Sequence, residues 1–186
     1  FHLFTHAFFK ALLFLGSGSV IHAFKDEQNI NFMGGVWKKL PYTYTLMIIG
    51  TLALTGFPLL SGFYAKDAII EFAYLRGNTT GYYAAGIGIF TAFLTSIYSW
   101  RLIFKTFHGS YNNKKIKIEE THESPIVMLL PLVLLSIGAI FAGFIFKEIF
   151  IGHYGVNGYW GQSIFFLEPL STDHPPTWFL ILTPIL

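Results

Sequence analysis

Ionisable side chains lie inside apolar stretches of this sequence, where they could bind and release protons. Lys66 and Asp67 are adjacent, and Glu71 follows one helical turn after Asp67. A charged side chain at membrane depth is costly, and it usually marks an ion or proton pathway. For Glu71, a helix end emerging at the membrane surface explains the charge equally well. We therefore predict that Lys66 and Asp67 carry proton transfer.

The first apolar stretch carries a second group of ionisable side chains. His2, His6 and Lys10 recur every four residues, which places them on one face of a helix. A lysine near mid-span needs a polar partner, and histidine, with a reference pKa of about 6.5, suits a proton relay. For the two histidines, packing against another polar stripe is an equal alternative. The spacing predicts that all three belong to one proton pathway.

Two helix-disfavouring residues, Gly56 and Pro58, interrupt the apolar stretch that precedes Lys66. Pro58 cannot donate to the carbonyl of Leu54, and its ring crowds that carbonyl. Broken backbone is tolerated at membrane depth only where protein or water surrounds it. The sequence therefore predicts a discontinuous helix, broken near Gly56 to Pro58, in a charge-translocating protein.

We expect Lys10 and Lys66 to face each other from neighbouring helices, at a distance that exceeds direct contact. A proton would then need water or a hydroxyl group to pass between them. Thr55 and Ser61, on either side of the break, are the candidate hydroxyls.

The composition is that of a polytopic membrane protein. Of 186 residues, 53% are hydrophobic and only 12% are charged, unlike a soluble domain. Both ends lie in apolar runs, which predicts an internal piece of a longer protein. The absence of cysteine excludes disulfides, thiolate metal sites and iron–sulfur ligation within this sequence.

We predict an all-α membrane protein, a polytopic helical bundle that forms one transmembrane domain over residues 1–186. Residues 42–74 far exceed the roughly 20 that a straight crossing needs, which fits two half-helices. Lysine and arginine concentrate in the loops after the first and third spans, so those loops should face the cytoplasm or matrix. The predicted spans are about 3–24, 42–74 (broken near 56–58), 82–106, 125–146 and 176–186, the last of them truncated.

Several enzyme and binding classes are excluded by missing signatures. The sequence has no HExxH pair, Walker loop, nucleophile elbow or Rossmann fingerprint. Its basic residues are few and adjoin the predicted spans, which argues against nucleic-acid binding.

Long segments of the sequence resemble the antiporter-like L subunit family of respiratory complex I, whose mitochondrial member is subunit 5 of NADH dehydrogenase. The resemblance implies the second half of the antiporter-like fold, with its broken helix in an inverted repeat. It extends over nearly the whole chain in the same order, through Thr5–His22, Met33–Tyr44, Gly50–Ile69, Thr91–Gly109 and His122–Gly143.

The resemblance also implies roles for the candidate residues. Lys10 matches the family's central-axis lysine, and His2 and His6 match its accompanying histidines. Lys66 matches the lysine of the broken helix, which serves the outward half-channel, and Asp67 matches the acidic residue after it. The sister M subunit usually has glutamate in place of Lys66, which favours L.

By resemblance, the protein translocates protons in the membrane arm of NADH:quinone oxidoreductase, in the inner membrane of a bacterium or mitochondrion. The resemblance implies no cofactor here, since NADH, FMN, iron–sulfur clusters and quinone belong to other subunits. It implies other membrane-arm subunits as partners, especially the M-type one. The alternatives are the similar large component of a multisubunit Na⁺/H⁺ antiporter, a purely structural membrane-arm subunit, and a solute transporter with a midplane site.

Overall fold

A computed structural model of the chain describes residues 1–113, 116–152, 159–161, 163, 176 and 179. Helices dominate the described residues. Short 3₁₀ turns lie in the two long loops, at Ile30–Phe32 and Ile118–Glu120, and a π-helical turn, Phe104–His108, continues the fourth α-helix. The α-helices are α1 (His2–Ala23), α2 (Pro41–Thr55), α3 (Ser61–Leu75), α4 (Thr79–Ile103) and α5 (Ile126–Phe150).

The predicted class, an all-helical membrane protein, is confirmed. Three helices are long and apolar enough to cross a membrane: α1, α4 with its π-helical turn, and α5. α2 and α3 have 15 residues each, short of the roughly 20 that one crossing needs. The predicted span at 176–186 lies outside the described residues except for Pro176 and Phe179.

Local sequence signals account for several helix starts. Pro41 is the first residue of α2, where a missing N–H costs no helical hydrogen bond. At the start of α4, the Asn78 side chain accepts a hydrogen bond from Gly81 N at 2.7 Å, as an N-cap residue does. Pro125 directly precedes α5.

The core of the bundle forms where α1 lies between α2 and α5. Phe9 and Leu12 of α1 are almost fully buried, and they pack with Ala53 of α2 and with Leu132 and Ala139 of α5. α4 packs against α3 and α2 on the other side. The bundle thus holds the stripe of α1 against the two half-helices.

The loops after α1 and after α4, which carry most of the lysines, meet at one end of the bundle. Trp37 N donates to Phe107 O at 3.3 Å, and Lys105 Nζ donates to Asn31 Oδ1 at 2.7 Å. Lys25 forms an ion pair with Glu120. This hydrogen bond holds the pKa of the Glu120 carboxyl below its ordinary value. The two loops therefore form one polar end of the molecule.

Candidate proton-transfer site

α2 ends in a left-handed glycine, just before Pro58. Gly56 has φ 90°, a conformation that glycine adopts without steric cost. The N–H groups of Gly56 and Phe57 both donate to the carbonyl of Leu52, as in a Schellman-type helix ending. The last carbonyls of α2 then have no partner within the helix, and they are available to other groups.

The segment between the half-helices is strained. Leu59 has φ 74°, in the left-handed region that costs a residue with a side chain about 1–2 kcal/mol. Such strain persists only where the surrounding structure imposes it, and it is typical of switch regions. The break is therefore a defined turn.

Lys66 reaches from α3 back to the end of α2. Its Nζ donates a hydrogen bond to the carbonyl of Thr55 at 3.2 Å. A Cβ added at Gly56 would lie 3.8 Å from Lys66 Nζ and 3.9 Å from Asp67 Oδ1. The ammonium and the carboxylate thus both lie beside the break.

The end of α2 provides a favourable electrostatic environment for the protonated lysine. A helix C-terminus carries a partial negative charge, and the Asp67 carboxylate adds a full one nearby. Both interactions join groups that lie on either side of the break. A displacement of α3 relative to α2 therefore changes how strongly the ammonium form of Lys66 is stabilised.

A cavity of about 380 Å³ opens between α1, α3 and α4, and four of the five predicted pathway residues line it. Lys66 lies on one wall, and His2, His6 and Lys10 lie on the opposite wall. The His2 and His6 ring centroids are 5.5 Å apart, and both residues are partly buried. The polar stripe of α1 thus faces the broken helix across a space large enough for several water molecules.

The fifth predicted residue, Asp67, lines a different cavity. This cavity has a volume of about 270 Å³ and is also lined by Glu71 and Lys147. Since Lys66 lines the first cavity and Asp67 the second, this adjacent pair stands between the two spaces. Among the described residues, no group of three histidine, aspartate or glutamate side chains could hold a metal ion.

A model of the NADH:quinone oxidoreductase/Mrp antiporter transmembrane family matches residues 1–95. The match extends over more than half of the chain, including α1, the broken helix and the cavity between them. The chain belongs to this family. The similarity that the sequence predicted is thereby confirmed.

Named relatives agree with this membership. NADH-ubiquinone oxidoreductase chain 5 of Metridium senile is 51% identical over 149 residues, which are 80% of this chain and 24% of that protein. The chain 5 proteins of Marchantia polymorpha and Phytophthora infestans are 49% and 45% identical, over 90% and 100% of this chain. The chain spans about a quarter of the length of the relatives it matches.

In this antiporter-family chain, a second cavity adjoins Lys10 on the side away from His2. It has a volume of about 200 Å³, and it is lined by the hydroxyl residues Ser17, Thr51 and Ser99. Lys10 lines both this cavity and the larger one. The lysine of α1 therefore separates two polar spaces, as Lys66 and Asp67 do on α3.

One predicted relay hydroxyl is placed elsewhere. Ser61 does not lie between Lys10 and Lys66, because its Oγ donates to Gly138 O and accepts from Gly143 N, both at 2.8 Å on α5. The prediction that Ser61 relays a proton between the lysines is wrong. The Thr55 hydroxyl donates to its own helix, to Leu52 O at 3.2 Å, and Thr55 contributes its carbonyl to Lys66.

α4 contributes polar residues that the sequence analysis did not single out. Thr91, Thr95 and Tyr98 line the larger cavity beside the two lysines. Their spacing of four and three residues places them on one helix face, so a search for polar stripes in the third span would have found them. They complete the polar wall of the site in this member of the antiporter family.

Proposed function

We propose that this chain forms part of a proton-translocating, antiporter-like subunit in the membrane arm of NADH:ubiquinone oxidoreductase. The observation that carries the proposal is the position of Lys66. Its ammonium lies at the end of a half-helix and lines a cavity with Lys10, His2 and His6. Intramembrane ionisable groups along a polar cavity are typical of proton relays.

In the proposed mechanism, Lys66 binds a proton while the Thr55 carbonyl and Asp67 stabilise its ammonium form. When α3 moves relative to α2, those interactions weaken and the proton is released. The histidines of α1 accept and donate protons near neutral pH, and together with water they connect Lys10 to the cavity. We expect a proton to move between Lys10 and Lys66 through this space.

The relatives support the assignment to the oxidoreductase. All three relatives described above are named as chain 5 of NADH-ubiquinone oxidoreductase, so membership of a Na⁺/H⁺ antiporter complex is not favoured. Because these relatives come from eukaryotes, we propose the mitochondrial inner membrane as the location. Other membrane-arm subunits, the M-type one in particular, are the proposed partners.

We further propose that NADH, flavin, iron–sulfur clusters and quinone bind to other subunits. In this division of roles, the chain contributes proton transfer and receives its driving force from redox chemistry elsewhere. The site residues proposed for proton transfer are Lys10, Lys66, His2, His6 and Asp67.

Substitution of each lysine in the assembled complex tests the proposal. Lys10→Met and Lys66→Met should each lower the number of protons pumped per NADH oxidised, with the complex still assembled. Lys38→Met, in the exposed loop before α2, is the matched control and should pump normally. If both intramembrane variants assemble and pump like the control, the lysines are structural and the proposal fails.

A further inference from the structure

The start of α3 is fixed to α5 by a single buried hydroxyl group. Ser61, the first residue of α3, is 0% exposed. Its Oγ donates to the carbonyl of Gly138 and accepts from the N–H of Gly143, each at 2.8 Å. Both partners belong to α5, far from Ser61 in sequence. The hydroxyl therefore joins two helices.

This contact differs from ordinary helix capping. A serine at a helix start commonly accepts a hydrogen bond from its own helix, but at the N-cap of α3, Leu60, no side-chain hydrogen bond is formed. The Ser61 hydroxyl instead satisfies backbone groups of α5. Its removal would leave the α3 turn unchanged and would release α3 from its neighbour.

Close backbone packing surrounds the same point. A Cβ added at Gly143 would lie 2.4 Å from Ser61 Cα, and one added at Gly62 would lie 1.7 Å from the carbonyl oxygen of Ala53. The first turn of α3 is thus held between α5 on one side and the end of α2 on the other. Only residues without side chains permit this approach.

The position of Lys66 depends on this attachment. Lys66 follows Ser61 by five residues, a distance of about 7.5 Å along the helix axis. Its hydrogen bond to Thr55 O crosses the break, and the five residues 56–60 that link the half-helices are not α-helical. A stable lysine–carbonyl contact therefore requires that α3 be fixed from outside the broken helix.

We propose that Ser61 is a positioning residue for Lys66: its hydroxyl holds the start of α3 against α5, and this keeps the Lys66 ammonium within reach of the Thr55 carbonyl. The proposal rests on the proposed proton-transfer function of Lys66. In this arrangement α5 is the fixed support, and the movement that changes the environment of Lys66 takes place at the joint between Ser61 and Gly143.

The test is Ser61→Ala in the complete complex, with Ser136→Ala as the matched control. Ser136 is also buried, 5% exposed, but its hydroxyl donates to Val133 O within its own helix. Loss of one hydrogen bond lowers the population of the fixed state by about fivefold. Amide hydrogen exchange in residues 57–62 should therefore accelerate by about fivefold in Ser61→Ala, and not in Ser136→Ala.

Proton pumping provides the functional measurement. In Ser61→Ala, NADH oxidation and assembly should stay at the control level, while protons pumped per NADH fall toward the value of Lys66→Met. Equal pumping and equal exchange in the two serine variants would overturn the proposal. So would a loss of pumping that only parallels a loss of assembled complex, because that result indicates a general packing role.

A second variant tests the same joint without removing the hydroxyl. Gly143→Ala forces the start of α3 away from α5 and should lower the pumping ratio in the same way. Gly138→Ala is its control, since a Cβ there would meet only the movable side chain of Phe8. Normal pumping in Gly143→Ala would contradict the proposal.

Lys66→Met, measured in parallel, separates this inference from the function on which it rests. If Lys66→Met pumps normally, the proposed function of the site fails, and Ser61 has no pumping residue to position. If Lys66→Met loses pumping and Ser61→Ala does not, only the positioning role fails.

Discussion

Replacement of Glu123 by alanine should loosen the first turn of α2, the half-helix that presents the Thr55 carbonyl. Glu123 lies in the loop before α5, and its carboxylate accepts hydrogen bonds from Tyr42 N at 2.9 Å and from Thr43 N at 3.3 Å. The Thr43 hydroxyl donates to the same carboxylate at 2.5 Å. Glu123 therefore caps α2 from a distant part of the sequence.

The size of the effect follows from these contacts. Loss of a helix cap costs about 0.5–2 kcal/mol, and hydrogen bonds to a charged group are worth about 1.5–3 kcal/mol each. Glu123 is only partly buried, so solvent weakens its contribution. We expect a loss of about 1.5 kcal/mol in the local opening free energy, which corresponds to about tenfold faster amide exchange.

Amide hydrogen exchange of residues 42–46, followed by mass spectrometry on the complex in detergent, measures this change. Glu119→Ala is the matched control, because Glu119 is exposed in the same loop and makes none of these hydrogen bonds with α2. Exchange in Glu123→Ala that equals exchange in the control would refute the capping argument.

Two further predictions concern the broken helix and the histidine stripe. Gly62→Ala should prevent assembly, because its Cβ would lie 1.7 Å from the backbone oxygen of Ala53; Gly18→Ala, with no atom within 4 Å of its added Cβ, should assemble, and equal yields on a native gel would contradict this. His6→Ala should slow proton pumping more than it lowers assembly, since a relay side chain at the cavity contributes more to transfer than to packing; wild-type pumping would exclude His6 from the pathway.

The elements of the site that depend on local sequence could be predicted. The four-residue spacing of His2, His6 and Lys10 was sufficient to place them on one face, because helix periodicity is a local property. The interruption before Lys66 was also visible. The structure adds its physical detail: Gly56 ends α2 in a left-handed conformation, and Pro58 follows a helix that has already ended.

The contacts that depend on tertiary packing could not be predicted in this way. Ser61 looks like a hydroxyl close to the break, and only the approach of α5 shows that Gly138 and Gly143 engage it. The cap of α2 by Glu123 joins residues about 80 positions apart, and no local pattern announces it. A single sequence defines helix faces, whereas helix packing decides which faces meet.

The central claim is that Lys66 acts by binding and releasing a proton, and Lys66→Arg tests it most directly. Arginine keeps the positive charge and can still donate to the Thr55 carbonyl, but its pKa of about 12 or above prevents proton release. The measurement is the number of protons pumped per NADH oxidised by the purified complex in sealed vesicles, with Lys38→Arg as control. We predict that Lys66→Arg assembles and oxidises NADH but loses pumping; pumping at the level of the control would show that a fixed charge is sufficient and would contradict the account.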